Sequence, residues 1–116
     1  MDENIKEKVG TVKIADDAIM AIAGIAATDV KGVYSLEGGI TRANVTQLDR
    51  KKLQKCMKLS MSDNCISIRL SIIVDGSETI PNVTALMQDK VKDALEMMTG
   101  MTVSSVDVEI TGVHAS

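Results

Sequence analysis

The sequence contains no Trp and no Phe, and Tyr34 is its only aromatic residue. Any core must be filled by Val, Ile, Leu, Ala and the eight Met residues. Met adapts its shape and specifies geometry weakly. A single histidine, His114, excludes most histidine-based triads and His-rich metal sites. Its position near the C-terminus predicts a solvated, frayed residue. Cys56 and Cys65 lack CxxC spacing and have no neighbouring base in sequence, so neither reads as a reactive thiol. There is no apolar run of about 18 residues, the length a helix needs to cross a bilayer. The opening MDENIKEKVG is charged and lacks the apolar region of a secretory signal. A cytoplasmic location is expected, where two cysteines stay as free thiols. The sequons at Asn44 and Asn82 then carry no glycosylation meaning. The formal net charge of -3 and the lack of stacking platforms argue against nucleic acid as a partner. The basic run Arg50-Lys51-Lys52 with Lys55 reads as a solvated face.

What is present is enough for one domain: 116 residues, 45% of them hydrophobic. Residues 1–8 read as a disordered tail and 9–113 as a single domain. Val12 and Ile14 alternate with polar neighbours, suggesting a short strand. Asp16 or Asp17 is placed to cap a helix in which Ile19, Ile22, Ala23, Ile25 and Ala26 recur at helical spacing, ending near Thr28 or Asp29. Its alanines make it thin enough to lie close to a sheet, and Gly24 inside it predicts a tight contact. Gly32–Leu36 reads as a short strand. Residues 38–54 are mostly polar and read as an irregular insertion with a helical turn.

KCMKLSMSDNCISIRLSIIVDG gives the clearest pattern. Two alternating runs flank Asp63-Asn64, residues suited to a hairpin turn. With those two as the turn, Met61 faces Ile66, Leu59 faces Ile68 and Met57 faces Leu70, all on one side. The other side carries Ser60–Ser67, Lys58–Arg69 and Cys56–Ser71. A slip of one residue would mix the two faces. In this register both cysteines lie on the polar face, on the order of 20 Å apart at ~3.3 Å per residue, too far for a disulfide. A second helix starts at Ile80-Pro81, carries the stripe Val83, Leu86, Met87, Val91, Ala94, Leu95 and Met98, and closes at Gly100. A last strand turns Val106, Val108 and Ile110 inward, with a kink near Ser104-Ser105 because Val103 has the opposite parity. The fold class is α+β: a two-layer sandwich with two helices on one face of a mixed sheet of four to five strands.

No catalytic constellation emerges. Asp107 and Glu109 share the outer sheet face with Lys58 and Arg69, where salt bridging across strands is the expected role. A carboxylate pair does acid–base work only in a cleft that separates its pKa values. Gly38-Gly39 lacks the Gly-Lys-Ser/Thr of a phosphate loop. Asp16-Asp17 is a helix cap rather than a metal site. Met97 and Met101 lie at the margin of the second helix's stripe, as edge-of-core packing or a sticky contact. The candidate interface therefore comprises Lys58, Ser60, Ser67, Arg69, Ser71, Asp107, Glu109, Met97 and Met101. No catalytic residue, metal or cofactor is predicted.

GTVKIADDAIMAIAGIAATDVKGVYSL resembles the opening of the bacterial alkaline shock protein family, the Gls-type envelope stress response proteins. The residues concerned are Gly10, Val12, Ile14, Ile22, Ala23, Gly32, Val33 and Leu36. In the second half Leu70, Ile80, Pro81, Val83, Gln88, Val91, Met98, Thr99, Gly100, Val106 and Val108 match the family's strand, Ile-Pro helix, Met-Thr-Gly and final Val-x-Val strand. The likeness covers about 9–37 and 56–113. Asp75-Gly76 departs from it, the family having an aromatic before the Gly, and 38–54 does not align. The resemblance implies a bacterial, noncatalytic, cytoplasmic protein of envelope stress. It also implies self-association and, for some members, retention near the membrane by small membrane-spanning partners. Two functions follow as expectations: a noncatalytic module that self-associates or docks on a membrane partner, or a small-ligand regulator of lipid or envelope metabolism. The latter would hold an apolar group in a pocket of a few hundred Å3 beneath 38–54.

Overall fold

The structure is a computed structural model and describes residues 14–47 and 50–115. The tail expected over 1–8 and the strand expected around Val12 lie outside the described residues.

Helix α1 (Asp16–Thr28) is followed by strand β1 (Val33–Leu36), a 3-10 turn (Val45–Gln47), a one-turn helix α2 (Arg50–Leu53), strands β2 (Met57–Ser62) and β3 (Cys65–Asp75), helix α3 (Ile80–Thr99) and strand β4 (Thr102–His114). The expected mixed sheet has four strands, with β1 and β2 antiparallel to β3 and β4 parallel to it. The β2–β3 register is the one the sequence specifies, from Met57 opposite Leu70 to Ser62 opposite Cys65. The Ser71 N–H donates to the Cys56 carbonyl at 2.8 Å, and the Glu37 N–H donates to the Ser71 carbonyl at 2.9 Å. Both backbone groups of a strand residue point to one edge. Strands β1 and β2 therefore lie end to end along one side of β3, with β4 on the other.

Every second residue of β3, from Ile66 through Ile68, Leu70 and Ile72 to Val74, is buried under α1 and α3. From α3, Val83, Met87, Val91 and Leu95 meet that layer at i, i+4 spacing. Lys90 reaches back to Asp29 at 3.1 Å, which places the C-terminal end of α1 beside the middle of α3. A Cβ at Gly24 would come within 2.6 Å of Val45 Cγ2 and 3.3 Å of Met57 Cε, so the glycine is the contact point expected of it. Pro81 lies in the first turn of α3, and Gly100 ends the helix at φ 71°, its N–H donating to the Glu96 carbonyl at 2.9 Å.

Several expectations need correction. Ala15, not an aspartate, is the α1 cap residue and makes no side-chain cap bond. Asp16 and Asp17 lie within the first turn, where negative charge complements the helix dipole. Leu86 and Met98, assigned to the buried stripe, are 53% and 61% exposed, because the buried residues of α3 advance by fours and leave the adjoining ridge at the surface. Residues 38–54 are not merely a polar excursion: Ile40, Val45 and Leu53 are buried and plug the core beside α1. The kink expected in β4 is a bulge, where Ile66 pairs with Val103 and Ser67 with Ser105, so that both Val103 and Val106 are buried.

Candidate interaction surface

The outer face of the sheet brings together seven of the nine candidate residues. Lys58, Arg69 and Asp107 occupy one row across β2, β3 and β4. Ser60 and Ser67 fill the next row, and Ser71 lies beside Glu109. The Ser71 hydroxyl donates to Glu109 Oε1 at 3.2 Å. The Ser104 hydroxyl donates to the Ile66 carbonyl at 3.1 Å, so Ser67 is the donor in its 2.9 Å contact with Ser104.

The expected salt bridges do not form: none of Lys58, Arg69, Asp107 and Glu109 is in an ion pair. Those found among the described residues join Arg42 and Lys90 to Asp29 and Arg50 to Asp16. An exposed pair gains little by closing in water. The face thus presents unpaired cations on β2 and β3 and unpaired carboxylates on β4. A depression of about 190 Å3 lies among Lys58, Ser60, Ser67, Arg69 and Asp107.

Met97 and Met101 are elsewhere. Met97 is 82% exposed near the end of α3, while Met101 is half-buried against the core. On this helical side, a groove of about 370 Å3 runs between α1 and α3, lined by Ile22, Ile25, Ala26, Ala94 and Met98. Asp29, Arg42 and Lys90 border it. The Lys90 hydrogen bond and the neighbouring Arg42 charge hold the Asp29 carboxyl below its usual range. The space beside the 38–54 segment, about 330 Å3, is bordered chiefly by Glu37, Gly38, Gly39, Asn44, Lys52 and Lys55. It has the size expected of a pocket there, and Ile40 joins the polar groups in its lining.

Cys56 and Cys65 are free thiols, as expected, but Cys56 is not on the outer surface. It closes the turn after α2, its N–H and its Sγ both donating to the Leu53 carbonyl, and burial pushes its pKa up to about 11. Cys65 is exposed at the hairpin tip. His114 is not frayed either. It ends β4 opposite Asp75 and stacks on Tyr34 with ring centroids 3.8 Å apart. The Ser77 N–H and hydroxyl, with a smaller contribution from His114, lower the Asp75 carboxyl. Among the described residues no group of three His, Cys, Asp or Glu is placed to hold a metal ion. No described helix is long and apolar enough to cross a membrane.

Residues 4–115 match the alkaline shock protein 23 family, described as having a cell envelope-related function. The chain belongs to this family. It is 30% identical over 106 residues to the uncharacterized protein YqhY of Bacillus subtilis, covering 91% of this chain and 78% of that protein. It is 26% identical to the uncharacterized YloU of the same organism, covering 100% and 98%. Among solved structures it superposes on two forms of MamM CTD, one a manganese form, with TM-scores of 0.53 and 0.52. Both are 15% identical and cover 84% of this chain and 98% or 99% of theirs. At that identity the likeness is one of fold. The family match reaches across 38–54, the segment the sequence resemblance left unaligned.

Proposed function

We propose that the chain is a noncatalytic interaction module of the bacterial cell envelope, which self-associates and docks on a small membrane-anchored protein through its outer sheet face. The observation carrying this reading is the state of that face. Among the described residues the helices cover one side of the sheet only, and Lys58, Arg69, Asp107 and Glu109 stand on the other without ion-pair partners. Exposed charges of both signs on a rigid strand scaffold suit a partner with complementary potential, which gains specificity and association rate more than raw affinity. The family's cell envelope-related function supports the same reading.

Sedimentation of the purified chain, paired with affinity capture from the native membrane fraction, tests it. The expected result is concentration-dependent assembly and recovery of a small membrane-spanning protein, both reduced by Arg69→Glu. A strict monomer that retains no envelope protein overturns the reading.

A second reading rests on the α1–α3 groove, whose apolar lining and adjacent Arg42 and Lys90 suit a small amphiphile. In that case the chain is a ligand-binding regulator of lipid or envelope metabolism. A melting shift on adding a fatty acid, abolished by Ala94→Trp, supports it.

A further inference from the structure

Residues 38–69 hold seven of the thirteen Lys and Arg and two of the sixteen Asp and Glu, so a chain that is acidic as a whole is basic over this stretch. The β2–β3 register fixes where two of these cations meet. Lys58 lies directly opposite Arg69, with Cβ atoms about 5 Å apart. Like charges set opposite each other on neighbouring strands destabilise a sheet. The chain does little to relieve this pair. Asp107 shares the row but lies beside Arg69, two strands from Lys58, or about 10 Å at the usual strand spacing. Glu109, the next outward residue of β4, accepts from the Ser71 hydroxyl. Among the described residues neither Lys58 nor Arg69 makes a side-chain hydrogen bond or an ion pair.

The next row toward the hairpin turn is Ser60 opposite Ser67. Ser67 donates its proton to Ser104, whereas the exposed Ser60 hydroxyl has no partner among the described residues. The depression of about 190 Å3 lies between the two rows. Leu59 and Ile68, the rung between them, turn their side chains to the helices, so main chain floors the depression. A water molecule's share of the liquid is about 30 Å3, which leaves room here for a phosphate and a short substituent. The donors suit a tetrahedral oxyanion: a guanidinium fork, an ammonium and a hydroxyl, two of them charged.

We infer that Lys58, Arg69 and Ser60 form a binding site for the phosphate of a small phosphoester, whose hydroxyl- or amine-bearing substituent extends toward Asp107. The phosphate relieves the Lys58–Arg69 repulsion by bridging both cations. Asp107 sets the preference for the substituent. A bare phosphate meets its carboxylate with repulsion alone, whereas a hydroxyl or ammonium on the ligand donates to it. A free phosphoester and a phospholipid headgroup share this chemistry. The inference goes beyond the docking reading above and involves no membrane protein.

Titrating the purified, isotope-labelled chain with glycerol phosphate and following its amide NMR shifts tests the site. The amides of Ser60, Ser67 and Arg69 are expected to move with a Kd on the order of 1 mM, and sodium chloride at equal ionic strength leaves them in place. Lys58→Gln and Arg69→Gln each weaken binding about tenfold, the size of one lost hydrogen bond to a charged group. Lys58→Arg retains binding. So does Lys55→Gln, which removes the same charge outside the depression, and each spectrum also shows whether the variant is folded. Phosphoethanolamine binds more tightly than inorganic phosphate, and Asp107→Asn removes that preference. Vesicles of phosphatidylglycerol separate the two sources: co-sedimentation abolished by Arg69→Gln marks a headgroup, and glycerol phosphate binding without co-sedimentation marks a free phosphoester. Glycerol phosphate that moves no amide in this row overturns the site, as does an equal loss with Lys55→Gln, which would show diffuse charge. A preference that survives Asp107→Asn overturns the role given to Asp107. Capture of an envelope protein is a separate measurement, so the docking reading stands or falls apart from this one.

Discussion

The two faces of β3 differ in almost every physical respect although they alternate residue by residue. Ile66, Ile68, Leu70, Ile72 and Val74 are sealed beneath the helices, while Ser67, Arg69 and Ser71 look outward between short or charged neighbours. One face holds the fold together by removing apolar surface from water. The other contributes little to stability and is free to be shaped for contact. Burial and exposure are thus separated by a single step along the chain.

The sharpest way to break this contrast is Leu70→Ala. Leu70 is fully buried in the central strand, so the substitution is expected to cost about 2–5 kcal/mol in denaturant unfolding. Gly24→Ala comes next. The added methyl meets Val45 and Met57 at the top of the sheet, and overpacking of this kind costs about 1–3 kcal/mol. A loss below a few tenths of a kcal/mol would mean that the 38–54 plug yields easily.

Ser35 refines the comparison from another direction. It lies opposite Ile73, in register with the outward residues, yet it is 1% exposed and its Oγ has no hydrogen-bond partner. Ser35→Ala is expected to be neutral or to stabilise by up to about 1 kcal/mol, since it removes an unsatisfied buried hydroxyl. The smallest perturbation is chemical labelling of the thiols near pH 8. Cys65 should react quickly. Cys56, buried and with its pKa raised to about 11, should react only as the fold opens. Equal rates for the two would show that the 38–54 segment detaches readily.

Elements whose local chemistry and packing agree were legible in the sequence. The hairpin register followed from two alternating runs about Asp63-Asn64, and the end of α3 from Gly100. The β4 bulge was visible because Val103 and Val106 cannot both face inward on a regular strand. The outer-face candidates came from the same parity, and the structure places seven of them together.

What was missed depended on contacts distant in sequence. Ile40, Val45 and Leu53 are single apolar residues in polar surroundings, with no period to betray their burial. Their spacing within the least regular segment was the available signal. Cys56 has the parity of an outward residue, but it precedes the first residue of β2 and belongs to the turn that α2 imposes. The His114 stack required β4 to run two residues past Gly112, and a terminal position argued against that. The end-to-end placement of β1 and β2 has no local signature at all.

That placement has one more consequence. Through its own N–H and C=O, Ser71 clasps both the departure of the chain at Glu37 and its return at Cys56. Everything between them is an excursion whose two feet stand on one residue. Loop closure grows dearer only slowly with length, so extra residues at the exposed Arg42-Ala43 bend would leave the sheet unaware of them. A tag, reporter or grafted peptide could be inserted there, provided Ile40, Val45 and Leu53 still reach the core.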